Sequence, residues 1–292
     1  MRGLHILART MSKARQLKPS HPCPWQYHPR SDHHSKVACW GILFDLLASS
    51  SLLREHAAEG RIAFGINHKM VDHSNGRRKA LDLVICRPEI PSSPPPKRRK
   101  ALLTFADQAG KFDLSLEDED RSVLATLPPL YQRPVGSVLM ALEAKAAMTE
   151  FGKARPRLYS ELDSSHVLVH GDTDAAIAVG LALINGSDTF ISPTKNPCIA
   201  WGAPMTPSTH HQPRQLNLTI AEMRTLPRRE TTGRPGFDAI SAVAVHCVND
   251  GKTPVTIIDD PKQGAVPPQD VLHYSTMINR IVGIYHNRFP RA

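Results

Sequence analysis

The sequence predicts an α/β protein, on three observations. Apolar residues recur at helical spacing from Ile42 to Leu53 and are followed directly by two strand-like runs. A second apolar run, over 135–146, leads into a segment of helical character over 148–166. Hydrophobic residues make up 41% and charged residues 22% of the 292 positions, which is ordinary globular usage, so the chain can bury a real core and is not globally disordered.

Taken in order, residues 1–36 are basic, rich in His and Pro and without periodicity, and read as a mobile basic arm. From Val37 the pattern changes. Ile42, Leu43, Leu46, Leu47, Leu52 and Leu53 predict a helix over 41–58, and Gly60 supplies a stop. Strands follow over 61–71 and 79–87, with Asn75-Gly76, a strong hairpin signal, in the turn between them. Residues 88–133 hold Pro94-Pro95-Pro96, the acidic Glu117-Asp118-Glu119-Asp120 and Pro128-Pro129, and read as a long insertion. A buried strand is expected over 135–146. A helix over 148–166 carries Pro156, which forces a restart or kink. The run 175–184 is apolar and either helical or buried. A short strand is expected at 189–192, loops over 193–236, two strands over 240–248 and 253–258, and a helix over 271–285. With 25 prolines and 17 glycines, long loops are expected. The organisation is an arm (1–36), a core (37–195, with the 88–133 insertion) and a C-terminal extension (196–292) packed on that core.

Charge is unevenly placed. The net charge is +9. Residues 1–100 carry 18 basic and 7 acidic side chains, whereas residues 101–292 carry 18 and 20. A field concentrated in one part of the chain attracts a polyanion and releases its counterions, the sequence-independent part of nucleic-acid binding. An anionic membrane surface or heparin fits that charge as well. Aromatic residues are only 5%, which argues against a carbohydrate-binding surface. The five cysteines, Cys23, Cys39, Cys86, Cys198 and Cys247, stand far apart and form no CxxC pair, which suits a reduced interior better than a disulfide framework. A cytoplasmic protein is therefore expected, associated with the nucleoid in a prokaryote. In a eukaryote, Pro94 through Lys100 would pass as a nuclear localisation signal. The longest apolar run is too short to span a bilayer. The spacing of His21, Cys23, His28, His33 and His34 matches no standard zinc finger. There is no P-loop, dinucleotide fingerprint or nucleophile elbow.

The chemistry concentrates in Val138-Leu139-Met140-Ala141-Leu142-Glu143-Ala144-Lys145, a hydrophobic strand that ends on Glu-Ala-Lys. Alternation along a strand places Glu143 and Lys145 on the same side. Desolvating such a pair costs several kcal/mol unless something compensates it. A second acid, Asp82, stands inside the apolar strand Leu81-Asp82-Leu83-Val84-Ile85. Two carboxylates and a lysine on adjacent strands match metal-assisted phosphodiester cleavage. Hard oxygen ligands hold Mg²⁺, which keeps several waters and takes a phosphate oxygen, and the metal activates a water and stabilises charge on phosphorus. A lysine there orients or deprotonates the attacking water.

This Asp…Glu-x-Lys pattern, after a helix and hairpin and before another helix, resembles the PD-(D/E)XK nuclease superfamily of type II restriction endonucleases and their relatives. The resemblance covers roughly residues 41–195, matching the family order helix, strand, strand, strand, helix, strand, with 189–192 as the last strand. It departs from the pattern at Leu81, where the family name has proline, and in the 61 positions from Asp82 to Glu143. The resemblance implies a central mixed β-sheet flanked by helices, a restriction-endonuclease-like core, and cleavage that leaves a 5′-phosphate. It implies Asp82 and Glu143 as metal ligands, Lys145 as the catalytic lysine, and Glu55 or Glu59 as an added acid from the first helix. Mg²⁺ is the expected cofactor, with Mn²⁺ as a substitute, double-stranded DNA the partner, and a homodimer the working form, with no membrane involved.

Phosphate contacts are expected from Lys97, Arg98, Arg99 and Lys100 and from Lys153, Arg155 and Arg157. Guanine edges are expected to be read by Arg228, Arg229 and Arg234. A type II restriction endonuclease is the first reading. A repair, recombination or phage nuclease on the same core, or a non-catalytic basic nucleic-acid-binding protein, are the alternatives.

Overall fold

All nine residues of the 177–185 run are buried. It is a strand covered by helices on both sides, and a strand with no wet face reads as an unbroken apolar run. Periodicity alone does not distinguish such a strand from a buried helical segment. The computed structural model describes residues 1–17, 23–71, 76, 78–89, 102–196, 198 and 204–292. Its strands are β1 (Ala63–Val71), β2 (Arg78–Pro88), β3 (Val135–Ala147), β4 (Ile177–Asn185), β5 (Thr189–Phe190), β6 (Ser208–Thr209), β7 (Ala239–His246) and β8 (Thr256–Ile258). Six of them form one mixed sheet in the order β1-β2-β3-β4-β7-β8. The β1/β2, β2/β3 and β7/β8 pairs are antiparallel, and β3/β4 and β4/β7 are parallel.

The helices are α1 (Gly3–Ser12), α2 (His33–Ser49), α3 (Ser51–Ala58), α4 (Phe105–Lys111), α5 (Asp118–Thr126), α6 (Phe151–Asp172), α7 (Arg214–Arg224) and α8 (Tyr274–Arg288). They make two layers. Ile6 and Leu7 of α1, Trp40 and Phe44 of α2, and Ile278 and Ile281 of α8 share a core with Leu142 of β3 and Leu181 of β4. On the other face, Leu158 and Leu162 of α6 and Ile220 of α7 pack with Ala141 of β3 and Ala178 of β4. Among the described residues, no single helix is long and apolar enough to cross a membrane.

Several expectations need correction. Residues 3–12 are not a mobile arm but a helix. A Cβ on Gly41 would lie 2.8 Å from the Gly3 carbonyl oxygen, so α1 and α2 meet at backbone contact. The buried Asp45 carboxylate of α2 accepts the N–H groups of Arg2 and Gly3 at 2.9 and 3.0 Å and the Tyr274 hydroxyl at 3.0 Å. It thereby satisfies amides at the start of α1 that the helix itself leaves unpaired. The helix expected over 41–58 begins eight residues earlier and breaks at Ser50, whose hydroxyl accepts the Leu53 N–H to start α3. The strand that follows the long helix in the sheet is β4; the 189–192 segment pairs with β6 outside it. Residues 196–292 are less an appendage than a continuation, since they supply β7 and β8 to the same sheet. The Asn75 half of the expected turn lies outside the described residues.

Cys23 and Cys198 form a disulfide across 175 positions, which corrects the all-reduced expectation. It also removes Cys23 from any zinc set. Cys39, Cys86 and Cys247 are free and buried. Closing so long a loop restricts the unfolded chain, so Cys198→Ser is expected to lose about 2–4 kcal/mol, seen as a lower urea midpoint, with a transition slope equal to or steeper than that of the wild type because the unlinked unfolded chain exposes more surface.

Candidate active site

The site forms where the sheet stops pairing with itself. The β2/β3 ladder reaches Leu83 opposite Leu142 and goes no further toward Asp82. Beyond it, carboxylates take the backbone donors. The Asp82 N–H points to Glu143 Oε2 at 3.4 Å, and the Ala144 N–H donates to Asp82 Oδ2 at 3.0 Å. On the other side, β1 pairs Ile66 with Leu83 and His68 with Leu81, but Asn67 between them has a left-handed backbone, φ 51°. Asp82 is thus released from regular pairing with both neighbours.

The structure brings Asp82, Glu143 and Lys145 together. Lys145 Nζ lies 2.7 Å from Glu143 Oε1. Glu143 is 2% exposed and Asp82 8%. The Ser35 hydroxyl, in the first turn of α2, donates to Asp82 Oδ1 at 2.9 Å. Burial first, and the Glu143 charge second, push the Asp82 carboxyl up to about 6. Burial alone would lower the Lys145 ammonium, but the Glu143 and Asp82 carboxylates outweigh it and raise its pKa above the usual lysine value. Lys145 therefore carries a positive charge at neutral pH.

These groups lie at a cleft of about 520 Å³. Asp82 and Lys145 line it, together with Tyr27, Arg30, His34 and Ser35 on one side and Lys153, Arg157 and Glu161 of α6 on another. Glu143, paired with Lys145, is not part of the lining. Burial first, then the Lys145 charge, hold the His34 imidazole down to about 3, so it is neutral. Burial likewise takes His33 down to about 4.

Other expected site residues are placed differently. Glu55 and Glu59, on or just beyond α3, are exposed and line no part of this cleft; Glu59 pairs with Arg61 instead. The bend between α2 and α3 carries them away, and the helical residue that touches Asp82 is Ser35. Lys153 and Arg157 line the cleft, with Arg157 Nε also 2.6 Å from Glu161 Oε1. Arg155 faces Glu222 at 4.0 Å. Arg228 and Arg234 are exposed. Arg229 does not read bases: its side chain is 0% exposed and bound to Asp238 and Asp174. Lys97, Arg98, Arg99 and Lys100 lie outside the described residues.

Sequence reading missed Ser35 and Lys79. Lys79 Nζ lies 3.1 Å from the same Glu143 Oε1 that Lys145 contacts. A lysine three positions before an acid on a strand carries no recognisable pattern, and a serine at a helix start ordinarily reads as capping.

Two carboxylates are too few for a closed structural metal site, and among the described residues no group of three or more His, Cys, Asp or Glu side chains is poised to hold an ion. They do suit Mg²⁺, which is held by one or two carboxylates while keeping waters and substrate oxygens. Glu143 Oε1 is buried between the Lys145 and Lys79 ammonium groups, at 2.7 and 3.1 Å, so a cation binding at that oxygen would have to displace the cleft-side Lys145. No family model matches the chain, and no curated protein or solved structure matches it significantly.

Proposed function

We propose that this chain is a divalent-metal-dependent DNA endonuclease that hydrolyses phosphodiester bonds, a nuclease of the PD-(D/E)XK kind. The observation that carries the reading is the convergence of Asp82, Glu143 and Lys145, from two adjacent strands, beside a cleft bordered by Arg30, Lys153 and Arg157. The arrangement of α2, the antiparallel β1-β2-β3, α6 and the parallel β4 agrees with the element order of that superfamily. Asp82 and Glu143 would hold Mg²⁺, with Mn²⁺ able to replace it. When bound, the metal would supply an acidified water and charge neutralisation at phosphorus. Lys145 holds positive charge beside the carboxylates, toward the scissile phosphate. Ser35 and the Ala144 amide fix the Asp82 carboxylate in place. Arg30, Lys153 and Arg157 attract the phosphate backbone without reading sequence. Double-stranded DNA is the substrate in this reading, and a homodimer would cut both strands.

Plasmid nicking in Mg²⁺ tests it. The wild type is expected to convert supercoiled DNA to open-circle or linear product, and Lys145→Ala to reduce the rate by about 10²-fold or more. Discrete fragments from a long DNA would identify a restriction endonuclease. No nicking of any DNA, with retention of salt-sensitive DNA binding, would instead make the protein a non-catalytic binder.

A further inference from the structure

Glu143 is gripped from two directions by two lysines of different character. Lys145 reaches Oε1 from the cleft, and among the described residues no other side chain or carbonyl anchors its ammonium. Lys79 reaches the same oxygen from β2, in a shallow groove bordered by Ser160, Asp163 and Ser164 of α6. Its ammonium is tied down: it donates to the Glu161 carbonyl at 2.6 Å, to the Ser165 hydroxyl and, at 3.4 Å, to the Ser164 hydroxyl. A lysine with that many partners in one turn of a helix is a fixed charge, whereas Lys145 has a flexible stem and a single partner.

We infer that Lys79 is a positioning residue, a resident counter-cation that holds the Glu143 carboxylate against α6 and opposes the binding of a divalent metal there. This rests on the nuclease reading for its consequence in catalysis, but its effect on metal affinity does not require turnover. The reasoning is electrostatic. A buried carboxylate needs compensating charge, and Lys79 supplies it permanently. A cation arriving at Glu143 displaces Lys145 from Oε1 and meets the Lys79 charge already seated on that oxygen. Two like charges sharing one desolvated ligand repel each other. Lys79 therefore weakens metal binding while keeping Glu143 in one orientation and tying it to α6, the helix that carries Lys153 and Arg157.

The test separates affinity from rate. Lys79→Gln removes the charge and keeps a donor for the α6 contacts, whereas Lys79→Arg keeps the charge. Titration calorimetry with Ca²⁺, in the absence of DNA, is expected to show Lys79→Gln binding about tenfold more tightly than wild type. Lys79→Arg is expected to stay within about twofold of wild type. In nicking assays the same Lys79→Gln protein is expected to need less Mg²⁺ for half-maximal rate yet turn over more slowly, because Glu143 is no longer held. Unchanged or weaker Ca²⁺ binding by a folded Lys79→Gln protein overturns the inference, and so does the absence of Ca²⁺ binding by both the wild type and Lys79→Gln. If the wild type binds Ca²⁺ with the expected Lys79 effect but cuts no DNA, the nuclease reading falls and this one stands. If it cuts DNA and Lys79→Gln matches it in metal affinity, only this one falls.

Discussion

Asp82→Asn is expected to be more stable than the wild type at neutral pH, by about 1–3 kcal/mol, while losing Mg²⁺-dependent nicking. The sign follows from proton binding. Burial and the neighbouring Glu143 lift the Asp82 carboxyl from 3.8 to about 6 in the folded protein. The native state then holds its proton more tightly than the unfolded chain does. Stability associated with that proton is fully present below about pH 4 and is lost as pH rises to about 6 and beyond. Asparagine keeps the shape and has no charge to desolvate. The difference between the two proteins should thus vanish near pH 4 and be complete above about pH 6. Urea denaturation of both proteins across this range measures it. A wild type more stable than Asp82→Asn at pH 7 would show that the Ser35 and Ala144 hydrogen bonds and the Lys145 charge outweigh desolvation. A carboxylate kept where it costs stability is expected at a functional site rather than at a structural one.

Arg229→Ala is expected to produce the largest loss of stability among the substitutions considered, about 3–5 kcal/mol. The Arg229 Nε donates to Asp238 Oδ1 at 3.0 Å and Nη1 to Asp174 Oδ1 at 3.0 Å. Nη2 serves the carbonyls of Asp174 and Ala176, both at 2.8 Å. Asp238 is itself 1% exposed and also receives Arg288 at 2.8 Å. Removing Arg229 leaves a buried carboxylate short of charge and two carbonyls short of donors, the situation in which deletion of one partner is most costly. Arg228→Ala and Arg234→Ala, both at exposed positions, should stay within about 0.5 kcal/mol of wild type. Equal urea midpoints for all three variants would refute this division.

These two cases show what a linear sequence carries and what it hides. The strands holding Asp82, Glu143 and Lys145 were legible because each is an apolar run interrupted by charge, and an interruption in an otherwise buried strand demands an explanation. The arginines at 228, 229 and 234 looked equivalent as a loop cluster. Nothing in their spacing distinguishes the buried one, whose partners Asp174 and Asp238 come from other elements. Likewise α1 was hidden by the His- and Pro-rich segment after it, although Leu4, Ile6, Leu7 and Met11 supply its buried or half-buried face. Glu55 and Glu59 were reasonable acids for a continuous helix, and the break at Ser50 alone displaces them. The Cys23–Cys198 pairing and the Ser35–Asp82 contact join residues 175 and 47 positions apart, so no local pattern announces either.

The central claim is that Asp82 and Glu143 hold one divalent cation beside Lys145. A crystal grown with Ca²⁺ and a short DNA duplex addresses it most directly. The expected result is a single ion about 2.3–2.6 Å from carboxylate oxygens of both Asp82 and Glu143, with the Lys145 ammonium moved off Glu143 Oε1 toward a phosphate. An ion bound elsewhere, or Glu143 still paired with both Lys79 and Lys145 at saturating Ca²⁺, would contradict it.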